Sequence, residues 1–304
     1  MSVLITDEVA DILISFLKEK GLEVVYQPNI SAQDLLDAVN DVEVLVVRSR
    51  TKVTKDVIDR AKKLKLIARV GVGLDNIDVR YAEQRGIKVI NAGAATARSV
   101  AELTIGLMIS LIRGSCYGYE RLKKGLWVKK KLKGHELFGK TLGLIGVGNI
   151  GSLVGNMAYY GLGMKVLGFR RELTKIRDPI KPAKLEELLS NSDIISLHIP
   201  LNESTRNFLD KKKISMMKDG VYIINTSRME VIDIDVLIDA LKNGKVAGFA
   251  ADTNLKPEHP KIVELLSLPN VLLTPHIGAQ TFEAQEKAAR YIAEQIVLWF
   301  QDNL

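Results

Sequence analysis

Gly146-Val147-Gly148-Asn149-Ile150-Gly151 is the stretch with the plainest chemical content. It follows an apolar run, Leu142 to Ile145, and leads into a helix-forming run from Ser152, with a further strand-like run after Gly163. In that setting the glycines have separate tasks. Gly146 permits a tight turn, Gly148 lets backbone approach a pyrophosphate, and Gly151 lets helix and strand pack closely. Asn149 and Ile150 lie within the motif, and the N-terminal N–H groups and partial positive charge of the helix that follows suit phosphate oxygens. About 20 residues further on, a dinucleotide site usually carries Asp or Glu for the ribose hydroxyls. This sequence has Arg170-Arg171 instead. A guanidinium accepts no proton but its forked donors match a 2′-phosphate, so NADP(H) is the expected cofactor. NAD(H) is the alternative if both arginines project into water, or if Glu172 takes the ribose.

Three further stretches fall at the carboxyl ends of strand-like runs, where open parallel sheets place ligands and catalytic groups. They are Asn225-Thr226-Ser227-Arg228, Asp252 to Glu258, and Thr274-Pro275-His276-Ile277-Gly278. Each has a plain structural alternative: an arginine after a strand is often a surface ion-pair partner, and Thr-Pro-His can simply end a strand. Nearer the N-terminus, Arg48 and Arg50 flank Ser49 at a strand end. Alternation would send both arginines to one side if the strand continued, and Arg48 with Ser49 would suit an anion. Gly71-Val72-Gly73 offers backbone N–H groups to a carboxylate.

The elements that must position these groups alternate regularly. Strand-like runs at 3–5, 23–26, 44–47, 66–68 and 88–90 are separated by helix-like runs, which predicts a parallel sheet covered on both faces. A long apolar helix is predicted from Thr96 to Gly114. A second series of six strands follows, at 142–145, 165–167, 194–197, 222–224, 247–250 and 271–273, the count of a complete dinucleotide-binding fold. The last helix, Phe282 to Phe300, has no sheet partner left in its own series and is expected to return to the first domain. The expected fold is therefore α/β with two doubly wound parallel sheets: a discontinuous flavodoxin-like domain, residues 1–95 and 280–304, and a Rossmann domain, 96–279.

Composition narrows the class. The chain has 304 residues, 47% hydrophobic and 26% charged, enough for two cores and far from a disordered composition. Cys116 is the one cysteine, and His135, His198, His259 and His276 are widely spaced, so no metal is expected. The N-terminus lacks a signal-peptide pattern and the most apolar stretch, Leu103 to Ile112, is too short to span a bilayer, which points to the cytoplasm and to no membrane partner. The net charge is +7. The lysine clusters at 123–124, 129–131 and 211–213 do not alternate with aromatic residues as a base-stacking surface would, so no nucleic-acid partner is expected. Attraction for small anions fits the charge.

Together the glycine motif and the strand-end stretches resemble the D-isomer-specific 2-hydroxyacid dehydrogenases over essentially the whole chain. Within that family the likeness is greatest to the members acting on 3-phosphoglycerate. It is carried by Val47-Arg48-Ser49-Arg50-Thr51, by Arg69 to Asp78, by Arg98-Ser99-Val100-Ala101-Glu102-Leu103 and by Glu283-Ala284-Gln285. The resemblance implies hydride transfer between a nicotinamide dinucleotide and C2 of a hydroxy acid, in a cleft between domains. It assigns His276 as acid–base, Arg228 as the grip on the substrate carboxylate, and Glu258 as the carboxylate supporting the imidazole. It places His198-Ile199-Pro200, Thr205, Thr226, Ser227, Asp252 and Gly278 beside the dinucleotide, and Arg48, Ser49, Val72, Gly73, Thr96 and Gln285 at the substrate. His198 is read as structural, with backbone contact to the dinucleotide, and His135 and His259 as solvated. A homodimer through the cofactor domain is implied, and serine feedback through an appended domain is not expected.

Three departures from the family pattern stand out. Pro257 occupies the usual position of the catalytic Glu, counted from Asp252, and a one-residue insertion makes Glu258 the partner. Met229 stands where a glycine usually follows the arginine, and Thr96 where the phosphoglycerate enzymes carry Asn. A glyoxylate or hydroxypyruvate reductase is the alternative within the class. A dinucleotide-sensing corepressor is the alternative outside it.

Overall fold

A computed structural model describes residues 2–303. The first sheet holds β1 (Ser2–Ile5), β2 (Glu23–Tyr26), β3 (Val44–Val47), β4 (Leu66–Arg69) and β5 (Lys88–Asn91), all parallel, in the order β2-β1-β3-β4-β5. Every residue of β3 and β4 is buried. That is why Val44-Leu45-Val46-Val47 reads as an unbroken apolar run: both faces are covered. On one face Val3, Ile5, Val44, Val46 and Leu66 pack against Leu13 and Leu17 of the helix Asp11–Glu19. The same face takes Ala288, Ala289, Ile292 and Ile296 of the helix Phe282–Asp302. On the other, Leu4, Leu45, Val47 and Ile67 meet Leu35, Val57 and Ile58. Each fully buried Leu or Ile contributes roughly 2 kcal/mol.

The second sheet holds β6 (Thr141–Ile145), β7 (Lys165–Phe169), β8 (Lys181–Pro182), β9 (Ile194–Leu197), β10 (Val221–Asn225), β11 (Val246–Asp252) and β12 (Val271–Thr274), in the order β12-β11-β10-β9-β6-β7-β8. Read from β8 to β11, this is the third-second-first-fourth-fifth-sixth order of a dinucleotide-binding sheet, with β12 added as a seventh strand. The expectation of six strands therefore needs correcting. It missed β8, two exposed residues at the sheet edge, where a proline's missing N–H costs nothing, and reached six by counting β12. The helix Ala97–Arg113 buries Leu107, Met108 and Ile112 against Leu142, Leu144 and Ile224 of this sheet.

The chain divides into two compact units: one runs to Thr96 and resumes at Ala279, and the other is Ala97–Gly278. Among the described residues no single helix is long and apolar enough to cross a membrane.

Candidate active site

The glycine motif joins β6 to the helix Asn149–Asn156, with Gly148 as the helix cap. Its three glycines are needed for different reasons. Gly146 has φ +99°, and a side chain there would collide with the His198 carbonyl. A Cβ at Gly151 would collide with the Gly146 carbonyl. A Cβ at Gly148 would meet no heavy atom within 4 Å. The chain's own packing thus requires Gly146 and Gly151, whereas Gly148 faces open space in front of a helix N-terminus. Together these make a cradle that fits a pyrophosphate. It lies where the strand order reverses, between β6 and β9.

His198 follows β9 and donates its N–H to the Ile145 carbonyl at 2.8 Å. Its Nε2 lies 2.9 Å from Ser196 Oγ, and desolvation pushes the imidazole down to about 4, so it is neutral at neutral pH. Ile199 packs beside Gly146, and the Pro200 carbonyl accepts the Thr205 hydroxyl at 2.6 Å. Thr205 also accepts the Asn202 N–H at 2.8 Å, so its hydroxyl closes this turn. The two arginines after β7 diverge. Arg170 Nη1 donates to the Val147 carbonyl of the glycine loop at 3.0 Å, and exposed Arg171 donates to Ser204 Oγ at 3.1 Å. Glu172 is paired with Lys175 at 2.8 Å.

After β10, Asn225 closes the turn that presents Arg228. Its Nδ2 donates to the Arg228 carbonyl at 2.9 Å, and its Oδ1 accepts both the N–H and the hydroxyl of Ser227, at 3.0 and 2.7 Å. The Thr226 hydroxyl lies 2.9 Å from that of Thr104 on the helix Ala97–Arg113. Arg228 Nη1 reaches the Ser227 carbonyl at 3.0 Å. Met229, where a glycine was expected, buries its side chain in the core and donates its N–H to Asn254 Oδ1 at 3.2 Å.

Asp252 ends β11, and its carboxylate organises the histidine loop after β12. Oδ1 accepts the Thr274 hydroxyl at 2.7 Å and the Ile277 N–H at 2.8 Å, and Oδ2 accepts the Gly278 N–H at 2.7 Å. The Ser99 hydroxyl holds the Gly278 carbonyl at 2.7 Å. Between these anchors His276 has φ 55°, a left-handed conformation that costs free energy and persists because its surroundings fix it. Asp252, expected among the dinucleotide contacts, is buried with both oxygens engaged in this scaffold. Glu258 is exposed in the turn before the helix Pro260–Leu266. His259 is exposed, as expected, and also caps that helix by accepting the Lys261 N–H.

In the other unit, Arg48, Val70, Gly71, Thr96 and Gln285 line one small cavity together with Val9 and short apolar side chains. Gln285 is in the first turn of the helix Phe282–Asp302, capped by Thr281, and bonds to Gln280. Ser49 is exposed beside the cavity-lining Arg48. β3 ends at Val47, so the strand does not continue through Arg48 and Arg50 and the condition for their sharing a side is not met. Arg50 instead turns back to Asp7, with Nε at 3.0 Å from Oδ1, and to the carbonyls of Thr6, Pro28 and Ile30. Of the Gly71-Val72-Gly73 loop, the Gly71 N–H is already bonded to the Arg69 carbonyl at 2.9 Å. Val72 is 40% exposed.

Comparison with known proteins settles the family. The family described as D-isomer specific 2-hydroxyacid dehydrogenase, NAD binding domain, matches residues 105–278. A hydroxypyruvate reductase of Thermotoga maritima is 45% identical over 282 residues, 92% of each chain. This chain belongs to the D-isomer-specific 2-hydroxyacid dehydrogenases. It is 43% identical over 300 residues to a D-3-phosphoglycerate dehydrogenase of Methanocaldococcus jannaschii, covering 97% of this chain and 57% of that one. The dehydrogenase thus spans little more than half the length of that relative. An acyclic imino acid reductase solved with NADPH and D-Arg superposes with a TM-score of 0.88 at 29% identity, over 99% of this chain and 98% of the other. As a member of this family the chain is an NAD(P)-dependent oxidoreductase, and its glycine cradle fits the nicotinamide dinucleotide that the family uses.

Several residues that hold the candidate groups within each unit carried no role in the sequence reading. Asn225 could have been found: an asparagine at a strand end just before a candidate arginine is the usual author of a local side-chain turn. Asn254, Ser99, Asp7 and Asn76 left no such local signal, because each acts on groups more than 20 residues away.

Proposed function

We propose that this dehydrogenase interconverts a D-2-hydroxy acid and its 2-oxo acid, with 3-phosphoglycerate and 3-phosphohydroxypyruvate as the substrate pair, as in serine biosynthesis. The observation that carries the chemistry is the left-handed His276, held by the Asp252 scaffold on the same sheet as the glycine cradle and the Arg228 turn. When bound, the dinucleotide accepts or supplies the hydride at C2. Gly146, Gly148, Asn149, Ile150 and Gly151 would hold its pyrophosphate, with His198, Ile199 and Pro200 beside it. Arg228 binds the substrate carboxylate and polarises the C2 oxygen. His276 takes the proton from the C2 hydroxyl in oxidation and returns it in reduction, and Glu258 stabilises the imidazolium.

Arg48 supports the phosphorylated substrate, because it brings a fixed positive charge to a cavity otherwise lined by Thr96, Gln285 and apolar groups. Arg170 and Arg171 support NADP(H). A second reading, an NADPH-dependent hydroxypyruvate or glyoxylate reductase, is favoured by the Thermotoga relative, which matches over 92% of both chains. Steady-state rates on 3-phosphoglycerate, 3-phosphohydroxypyruvate, hydroxypyruvate and glyoxylate with both cofactors test this. The phosphorylated pair should give the highest kcat/KM. Higher kcat/KM on hydroxypyruvate or glyoxylate overturns the first reading in favour of the second.

We also propose a homodimer in the cytoplasm. Phe138 and Tyr160, 79% and 75% exposed, flank an apolar groove with Ile109 and Ile112 in the cofactor unit, and a second copy would cover it. Sedimentation of the wild type against Phe138→Glu tests the interface. A monomeric wild type overturns it.

A further inference from the structure

The segment that carries Arg48 is gripped from two sides. Asp7 Oδ2 accepts the backbone N–H of Arg48 at 2.5 Å and that of Thr51 at 3.3 Å, and Oδ1 accepts the Thr51 hydroxyl at 2.8 Å. From the other side, Asn76 Nδ2 donates to the Arg48 carbonyl at 2.8 Å and to the Thr51 carbonyl at 2.6 Å. Both residues flanking Ser49-Arg50 are therefore held at N–H and at C=O, by one carboxylate and one amide. The amide is itself oriented, since its Oδ1 accepts Arg69 Nε at 3.1 Å. Asp7 is 3% exposed, and a carboxylate that deep needs compensation, which Arg50 supplies through Nε at 3.0 Å.

We propose that Asp7 and Asn76 are positioning residues that set Arg48 as a single preorganised anion anchor for the substrate. The inference deepens the substrate reading above and rests on it. The two arginines of Arg48-Ser49-Arg50 divide the work. Arg50 neutralises Asp7 and ties the segment to the carbonyls of Pro28 and Ile30, at 2.9 and 3.0 Å. Arg48 lines the cavity, with Nη1 on the Glu8 carbonyl at 3.1 Å and further N–H donors on the same planar fork. A guanidinium on a loose turn would lose rotamer freedom each time it met an anion, and a backbone fixed at four points lowers that cost before substrate arrives. None of these contacts touches the dinucleotide cradle, so the effect should appear in substrate affinity alone.

A double-mutant cycle between Asn76 and Arg48 tests the proposal, with KM for 3-phosphohydroxypyruvate and for hydroxypyruvate, kcat, and dinucleotide binding by fluorescence as readouts. Asn76→Ala should raise the KM of the preferred substrate about tenfold, the scale of one lost orienting hydrogen-bond pair. Its kcat and dinucleotide affinity should stay within about twofold of wild type. In the Arg48→Ala background the same change should do nothing further to KM, because its action passes through Arg48. If Asn76→Ala fails to fold, the isosteric Asn76→Asp, which lacks both donors, takes its place with the same expectation. An Asn76 variant with wild-type KM, or one whose effect adds fully to that of Arg48→Ala, overturns the positioning role while leaving the substrate reading intact. An Arg48→Ala enzyme with wild-type KM for both substrates overturns the substrate reading and this inference together.

Discussion

Gly278 donates its N–H to Asp252 Oδ2 at 2.7 Å, and a Cβ added at Gly278 would stand 3.0 Å from that same oxygen. The approach that makes the bond also leaves a side chain there in a tight contact. With the Thr274 hydroxyl and the Ile277 N–H on Oδ1, three donors converge on one carboxylate. Asp252→Asn offers only one acceptor oxygen and sets an amide donor against an N–H. The variant should lose about 1–3 kcal/mol of stability in denaturant unfolding, the cost of one unsatisfied buried donor. At temperatures where it remains folded, kcat should fall at least tenfold, on the order of the loss expected when a catalytic histidine moves by a fraction of an ångström. A folded Asp252→Asn enzyme with wild-type kcat would separate the scaffold from the chemistry.

The glycines of the cradle should respond to alanine in opposite ways. Gly151→Ala drives a methyl into the Gly146 carbonyl, so the variant should unfold at lower temperature, by the roughly 1–3 kcal/mol typical of overpacking. Gly148→Ala meets no protein atom within 4 Å and should keep the wild-type Tm, while weakening dinucleotide binding at least tenfold, about 1.4 kcal/mol. Differential scanning fluorimetry and dinucleotide fluorescence titration on the pair read both effects. A Gly148→Ala protein that binds as tightly as wild type contradicts the assignment of that open space to the pyrophosphate.

What was legible in the sequence is what depends on local needs. The apolar runs of β3 and β6, the helix Ala97–Arg113 and the glycine motif each announce themselves within a few residues. The groups that hold the candidate loops in place do not. Asp7 acts on Arg48 across 41 residues, Asn76 acts back across 28, and Ser99 reaches Gly278 across 179. Such bonds go to backbone groups, which every residue carries, so no residue type at the far end marks them. Strand alternation left Arg48 and Arg50 undecided for a related reason: it holds only while the strand lasts, and β3 stops at Val47. β8 has two residues, too short for any period to show.

His198 makes the fold sensitive to acid. Its imidazole is pushed by desolvation from 6.5 to about 4, so the native state resists a proton that the unfolded chain accepts. The unfolded state binds more protons throughout that interval, and stability therefore falls as pH drops from about 6.5 to about 4, and no further below it. The full effect is on the order of 3 kcal/mol. Tm measured from pH 7 to pH 4 should decline for the wild type and decline less steeply for His198→Gln, which keeps a partner for Ser196. Parallel curves for the two proteins would place the acid sensitivity elsewhere.

Glu258 is the carboxylate proposed to support His276. An adjacent negative charge favours the imidazolium, so Glu258→Gln should move the pH profile of kcat/KM to lower pH and reduce its maximum at least tenfold, within the range that general acid–base catalysis contributes. The exposed turn that holds Glu258 should tolerate the change without loss of Tm. An unchanged profile would remove Glu258 from the catalytic group and return attention to the register of the segment between Asp252 and Pro260.

Arg170 and Arg171 are neighbours in sequence with different surroundings, and cofactor choice should divide along that line. Arg170 is folded onto the Val147 carbonyl within the glycine loop, so its loss should weaken both dinucleotides by disturbing the cradle. Arg171 stands exposed with, among the described residues, the Ser204 hydroxyl as its one hydrogen-bond acceptor, leaving most of its fork to meet a 2′-phosphate. Arg171→Ala should raise the KM for NADP(H) at least tenfold, as loss of a charge-assisted hydrogen bond worth roughly 1.5–3 kcal/mol requires, and leave that for NAD(H) unchanged. Arg170→Asp, which introduces a ribose acceptor, should lower the ratio of kcat/KM for NADP(H) to that for NAD(H). If neither variant changes that ratio, both guanidinium groups serve the protein and not the cofactor phosphate.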